Sequence, residues 1–245
     1  MTTWRPVLLC FYFQFALHAE TQTEIPLNVA LVVDKSLADK FISFQGEEKY
    51  MINVFRAVSQ RLHEATNRTL RVRLPCVRNI SEFNENITLV EKGTGAVYPK
   101  KTAKNLKSAF QNDTCAAHVV LLMTNRNISS NATTRARDLK DGATDRTKLC
   151  EGTVFAVVSA KGNFSDTVFT LSRFISKILG VKYDEQTSCN ASQGHIMGHY
   201  DISSTPYTFS SCSKSDIADA LQTLQRRNCS KSTQLEDLIT KRQTG

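Results

Sequence analysis

Three short stretches of the chain are almost continuously apolar, and each predicts a buried strand. They are Leu27 to Val33 (LNVALVV), His118 to Met123 (HVVLLM) and Thr153 to Ser159 (TVFAVVS), all rich in β-branched residues and bounded by polar segments. Leu70 to Leu74 (LRVRL) alternates apolar and polar positions and reads as a half-exposed strand. A different period runs from Glu47 to Thr66, where Met51, Val54, Phe55, Val58 and Leu62 recur three and four apart. That spacing draws one apolar stripe on a helix. A second stripe, Val168, Leu171, Ile175 and Ile178, predicts a helix from Asp166, whose carboxylate suits the positive end of the helix dipole, and Gly180 ends it. Lys104 to Gln111 predicts a short helix. Ser215 to Arg226 predicts a last amphipathic one, with Ser213 or Ser215 as its cap.

The segments between these elements are polar. Residues 78–100 read as loop, and 125–148 as a long surface loop or a degenerate edge strand. Residues 184–212 look irregular and contain Cys189 and Cys212. Strands alternating with helices, followed by an irregular stretch, predict an α/β layered domain with a smaller C-terminal lobe. No repeat and no flexible linker divides it.

The first residues change the picture by setting the compartment. Arg5 precedes an apolar run from Val7 to Leu17 that ends at small Ala19, which predicts a cleaved signal peptide over 1–19 and a secreted product. No later stretch has the roughly 18 consecutive apolar residues of a transmembrane span. Nine N-x-[ST] sequons, at Asn67, Asn79, Asn86, Asn112, Asn127, Asn131, Asn163, Asn190 and Asn228, agree with secretion and predict a glycoprotein. Loss of the leader removes Cys10 and leaves six of the seven cysteines, an even number that suggests three disulfides among fifteen possible pairings.

The 245 residues carry 31 Lys+Arg against 23 Asp+Glu, a formal charge of +8. The excess has two readings. Arg71 and Arg73, with Lys100 and Lys101 nearby, would form a patch for an acidic glycan or protein; alternatively these charges, with Arg68 and Lys104, are simply solvated. Nucleic acid is excluded by the absence of aromatic–basic interleaving in a secreted chain. No Gly-rich phosphate loop supports nucleotide chemistry.

The stretch from Leu171 to Glu185 (LSRFISKILGVKYDE), followed by Cys189, Ile196-Met197 and Phe209 to Ser213, resembles the reprolysin (adamalysin-like) branch of the metzincin zinc proteases. More narrowly it resembles the short secreted forms of tick saliva. The resemblance implies a zincin-like α/β domain, with a mixed sheet of about five strands, long helices and a small irregular C-terminal lobe. It assigns residues 20–230 to this domain, with an upper part over about 27–180, a lower lobe over about 181–230, and a polar tail over 231–245. In the family the active helix reads H-E-x-x-H-x-x-G-x-x-H-D. Two histidines four apart face Zn²⁺, the glutamate polarises the metal-bound water, and a glycine break returns a third histidine. Gly180 fits the break, Asp184 the residue after the third ligand, and Met197 the methionine turn. The resemblance also implies the disulfides Cys150–Cys229 and Cys189–Cys212, with Cys76–Cys115 as the remaining pair. A family cysteine beside the methionine turn is His195 here.

The chemical positions depart from the pattern. Counted back from Gly180, the first two ligands fall on Arg173 and Lys177, the third on Tyr183, and the general base on Phe174. A zinc ligand must offer a lone pair, which guanidinium and ammonium lack, and a phenyl ring cannot accept a proton from water. Asp184 and Glu185 are available to pair with Arg173 or Lys177 in the place of the metal. The expectation is a secreted, disulfide-bonded glycoprotein without catalytic residues or cofactor, which binds an extracellular protein or an acidic glycan. The alternative is an active zinc endopeptidase that draws substitute ligands from His195, His199 and Asp184.

Overall fold

The computed structural model describes residues 25–41, 44–66, 70–80, 87–110, 115–129, 142–145, 147–160, 163–198 and 208–227. The expected leader, the tail 231–245, His199, Cys229 and the sequons at Asn67, Asn86, Asn112, Asn131 and Asn228 lie outside them. The strands are β1 (Ile25–Val33), β2 (Leu70–Arg73), β3 (Val77–Asn79), β4 (Val119–Thr124), β5 (Gly142–Thr144) and β6 (Val154–Ser159). The helices are α1 (Lys35–Ala38), α2 (Phe44–Thr66), α3 (Pro99–Phe110), α4 (Phe164–Ile178) and α5 (Ser211–Arg226).

The apolar runs became the centre of one mixed sheet, ordered β2-β1-β4-β6-β5, with β3 also paired to β1. All pairs are parallel except β5 with β6. Every residue of β4 and β6 is buried, because helices cover both faces, and a strand covered on both faces has no polar positions to alternate. Leu27, Val29, Leu31 and Val33 of β1 point to the side packed by α2, α4 and α5. Ala30 and Val32 point to the other side, against Ala103, Leu106 and Phe110 of α3. No helix among the described residues is long and apolar enough to cross a membrane.

Some boundaries differ from the sequence expectation. Residues 78–100 are not all loop: β3 pairs Val77, Arg78 and Asn79 with Leu31, Val32 and Val33. Helix α3 starts at Pro99 rather than Lys104, since proline has its φ preset for a first helical turn. In the polar stretch before β6 the edge-strand alternative holds, since residues 142–144 form the antiparallel edge strand β5. Its Gly142 has φ 151° and lies so close to β6 that a Cβ there would overlap the carbonyl oxygen of Val157. Helix α5 starts at Ser211, and its cap is Ser210, whose Oγ accepts from Ser213 N–H at 3.1 Å.

The C-terminal turn of α4 ends as the sequence requires. Gly180 takes φ 92°, its N–H donates to Lys177 O, and Val181 N–H donates to Ser176 O, each at 3.0 Å. These are the paired bonds of a glycine-terminated helix, and they turn the chain back under α4.

Asp145 fixes the edge of the sheet. Its Oδ1 accepts from the N–H groups of Thr147 and Phe155, each at 3.2 Å. Its Oδ2 accepts from Thr147 Oγ1 at 2.7 Å and Lys107 Nζ at 3.0 Å. The carboxylate thus joins the end of β5 to β6 and α3. Burial alone would raise its pKa, but these hydrogen bonds outweigh burial and hold it below the ordinary value of 3.8. A carboxylate with a depressed folded pKa stabilises fully above its unfolded pKa, and the contribution is lost as pH falls through the folded value. Asp145→Asn is therefore expected to cost about 1–3 kcal/mol at neutral pH. The gap from wild type should begin to narrow only below about pH 5 in urea titrations and close as pH falls through the folded pKa, because protonation then leaves wild type, like the variant, without a carboxylate charge at this position.

Candidate functional site

The residues singled out in α4 converge with the two chain segments that follow it. Residues 167–176 of α4 are buried, so this helix runs through the interior with little polar face. A charged residue inside such a helix must find partners, since an isolated buried charge is costly. Arg173, 5% exposed, finds them in the main chain: its Nη1 donates to the carbonyls of Ile196 and Gly198, each at 2.7 Å. These flank Met197, which is fully buried.

Lys177 lies one turn further along the same face. Its Nζ donates to the Tyr183 hydroxyl at 2.9 Å. The Tyr183 ring serves both cations, with its centroid 4.6 Å from Arg173 Cζ and 5.1 Å from Lys177 Nζ. The negative face of an aromatic ring attracts cations, which offsets the repulsion between two positive groups at i and i+4. Phe174 points into the apolar cluster that also holds Ile175 and Met197. The sequence-predicted quartet is thus brought together as two cations, a phenol and a phenyl ring.

The turn at Met197 is held from a second direction. Asp184 N–H donates to Met197 O at 3.0 Å, so three successive carbonyls, at 196, 197 and 198, are all engaged. Gly198 is required there, because a Cβ would lie 2.5 Å from Ala191 O. The side chain of Asp184 is fully buried and does not pair with Arg173 or Lys177. Its Oδ1 accepts from Ser210 Oγ at 2.5 Å and Ser213 Oγ at 2.8 Å, and the two hydroxyls stand at the start of α5. The expected ion pair with Asp184 is thereby replaced by a serine-capped carboxylate; Glu185 is exposed.

Disulfides join Cys189 to Cys212, which ties the segment before the turn to α5, and Cys76 to Cys115, which ties β3 to the approach to β4. Cys150 is disulfide-bonded as well. Among the described sequons, Asn127, Asn163 and Asn190 are exposed. Asn163 and Asn190 also cap helical turns through Oδ1, accepting from the N–H of Ser165 and Ser192, each at 3.0 Å. Arg71 and Arg73 lie on β2 at one end of the sheet, whereas α3, with Lys100, Lys101 and Lys104, packs over β5 and β6 at the other. Of the two readings of the basic excess, the one that needs Arg71 and Arg73 beside Lys100 and Lys101 is not met.

The metal implied by the sequence resemblance does not suit this donor set. Arg173 and Lys177 have no lone pair to give, and the Tyr183 oxygen accepts from an ammonium. Among the described residues, no three His, Cys, Asp or Glu side chains stand close enough together to hold an ion. A cavity beside Lys177, bounded by β5 and the ends of α4 and α5, was not foreseen, because its lining comes from separate elements.

Removal of the guanidinium should test its structural weight. Arg173→Met keeps the bulk but leaves two buried carbonyls without this donor, and a loss of about 1–3 kcal/mol for each in urea denaturation is expected. Lys177→Met gives up one hydrogen bond at a half-buried position and should cost only about 0.5–1.5 kcal/mol.

Comparison with known proteins places this geometry. A search of the curated proteins found no match. One solved structure, titled "Structure of a chaperone-substrate complex", is similar at 11% identity with a TM-score of 0.48. The similarity covers 83% of this chain but 36% of that one. Residues 104–232 match the model of the "Reprolysin (M12B) family zinc metalloprotease", a stretch that contains α4, the turn at Met197 and α5. That match spans more than half of the 245 residues, and the chain belongs to the reprolysin (M12B) family.

Proposed function

We propose that this member of the reprolysin family is a secreted glycoprotein that has lost the zinc site and acts by binding, without cutting, an extracellular protein. The observation that carries the reading is the Arg173 guanidinium, bonded to the carbonyls on both sides of Met197 with Tyr183 against it. In the family's motif the positions of Arg173, Lys177 and Tyr183 belong to the ligands, and that of Phe174 to the base. In support of this reading, two of the three ligand positions carry cations and the position of the base carries a phenyl ring, which cannot take a proton from water. The alternative ligands have less support. Asp184 is fully buried beneath Ser210 and Ser213, and hydroxyls rather than histidines surround it.

The binding surface in this reading is the cleft along β5. An antiparallel edge strand offers main-chain groups to an extended peptide, and neighbouring side chains select among sequences. An acidic glycan has less support, because the basic residues expected to receive it stand at opposite ends of the sheet. The reading keeps residues 1–19 as leader, 20–230 as the domain and 231–245 as tail. It also keeps a setting like tick saliva, from the narrower sequence resemblance.

Protein secreted in glycosylated form and purified without chelators should contain no stoichiometric zinc by elemental analysis. It should also show no chelator-sensitive cleavage of casein or gelatin. One bound zinc together with such cleavage would overturn the proposal. The combined substitutions Arg173→His, Phe174→Glu, Lys177→His and Tyr183→His rebuild the family motif on this backbone and should confer binding of one zinc ion.

A further inference from the structure

A groove of about 200 Å³ lies between α2 and the first turn of α4, at the opposite end of α4 from the cavity beside Lys177. Ala57, Gln60, Arg61 and Glu64 line it from α2, and Phe164 and Ser165 line it from α4. It is smaller than the ~300–1,000 Å³ of ordinary small-molecule sites. Its polar rim is balanced in charge: Arg61 Nη1 stands 3.7 Å from Glu64 Oε2, and Gln60 Nε2 donates to Glu64 Oε1 at 3.0 Å. A rim with one charge of each sign gives little preference for an ion of either sign.

Phe164 supplies the apolar part. It is 44% exposed, although residues 167–176 of the same helix are buried. Its ring meets Tyr50 edge to face, with centroids 6.0 Å apart. Tyr50 is anchored in turn, since its hydroxyl donates to Thr167 Oγ1 at 3.3 Å. The Phe164 ring is therefore presented at a fixed place beside the groove. A lone exposed phenylalanine is ordinary. This one directly follows Asn163, an exposed sequon residue held in place as the cap of α4. A glycan on Asn163 would begin next to the groove, and its bulk would keep a macromolecule away from it.

We infer that this groove seats the first N-acetylglucosamine of an N-linked glycan on Asn163, with the C–H face of the sugar on Phe164 and its hydroxyls toward Gln60, Arg61 and Glu64. A neutral ring with an apolar face and a polar edge matches both parts of the lining. Attachment through Asn163 makes the contact intramolecular, so a weak interaction suffices to fill the groove. The inference rests on the reading of the chain as a secreted glycoprotein, and it deepens that reading by giving one glycan a fixed seat that joins α2 to the start of α4.

The test uses protein secreted in glycosylated form. One sample is trimmed with an endoglycosidase that leaves a single N-acetylglucosamine at each occupied site. A second is stripped with an amidase that removes this sugar as well and leaves a carboxylate able to cap in place of the amide. Peptide mass spectrometry should find Asn163 occupied. Stripping should raise the unfolding constant of wild type about fivefold more than that of Phe164→Ala in urea titrations. In NMR spectra of the trimmed protein, one set of sugar ring protons should lie upfield under the aromatic ring and return to its ordinary position in Phe164→Ala. Asn163 found bare while other sequons carry sugar would overturn this inference and leave the glycoprotein reading standing; no sugar at any site would overturn both. With Asn163 occupied, an equal effect of stripping on wild type and Phe164→Ala, or upfield protons absent or indifferent to that substitution, would also overturn it. So would a dimer of the glycosylated protein that Phe164→Ala dissociates, since a second copy would then hold the groove.

Discussion

Two hydrogen bonds from one guanidinium, to the carbonyls of Ile196 and Gly198, fasten a buried helix to a turn that follows it at a distance of some two dozen residues. A guanidinium suits this task because it is planar, weakly hydrated for a cation and always charged. Both its acceptors belong to main chain that would otherwise be buried with unfilled hydrogen-bonding capacity. The attachment explains why Asp184 can turn away toward α5. With Arg173 satisfied by carbonyls and stacked on Tyr183, its charge needs no carboxylate nearby. The cation that organises the turn around Met197 is therefore part of the chain itself.

Much of the fold was legible because burial on both faces writes a plain pattern. β1, β4 and β6 are apolar runs because helices cover them above and below, and the stripes of α2 and α4 are three- and four-residue repeats. β5 was not legible. Gly142, Ala143 and Thr144 have no strand pattern of their own, and the strand exists through pairing with β6 and the hold of Asp145. Pro99, Lys100 and Lys101 likewise hid the start of α3, since its apolar positions begin only at Ala103.

The site was half legible. Gly180 and the spacing from Arg173 to Tyr183 gave the register, because helix geometry fixes which side chains share a face. The partners were not readable. Main-chain carbonyls have no residue-type signature, so nothing in the letters at Ile196 and Gly198 announces that they receive a guanidinium. Ser210 was hidden for a related reason: one hydroxyl accepts from Ser213 N–H as a cap and donates to a carboxylate from a distant loop.

The cap at Asn163 has a practical bearing on any study of sugars on this protein. Its Oδ1 accepts from Ser165 N–H, whereas an N-linked sugar would attach through the amide nitrogen, so one side chain can serve helix and carbohydrate together. Replacing Asn163 to strip a sugar would also unfasten the first turn of the helix that bears Arg173. Replacing Ser165 with alanine would erase the acceptor sequence yet spare the main-chain N–H on which the cap depends.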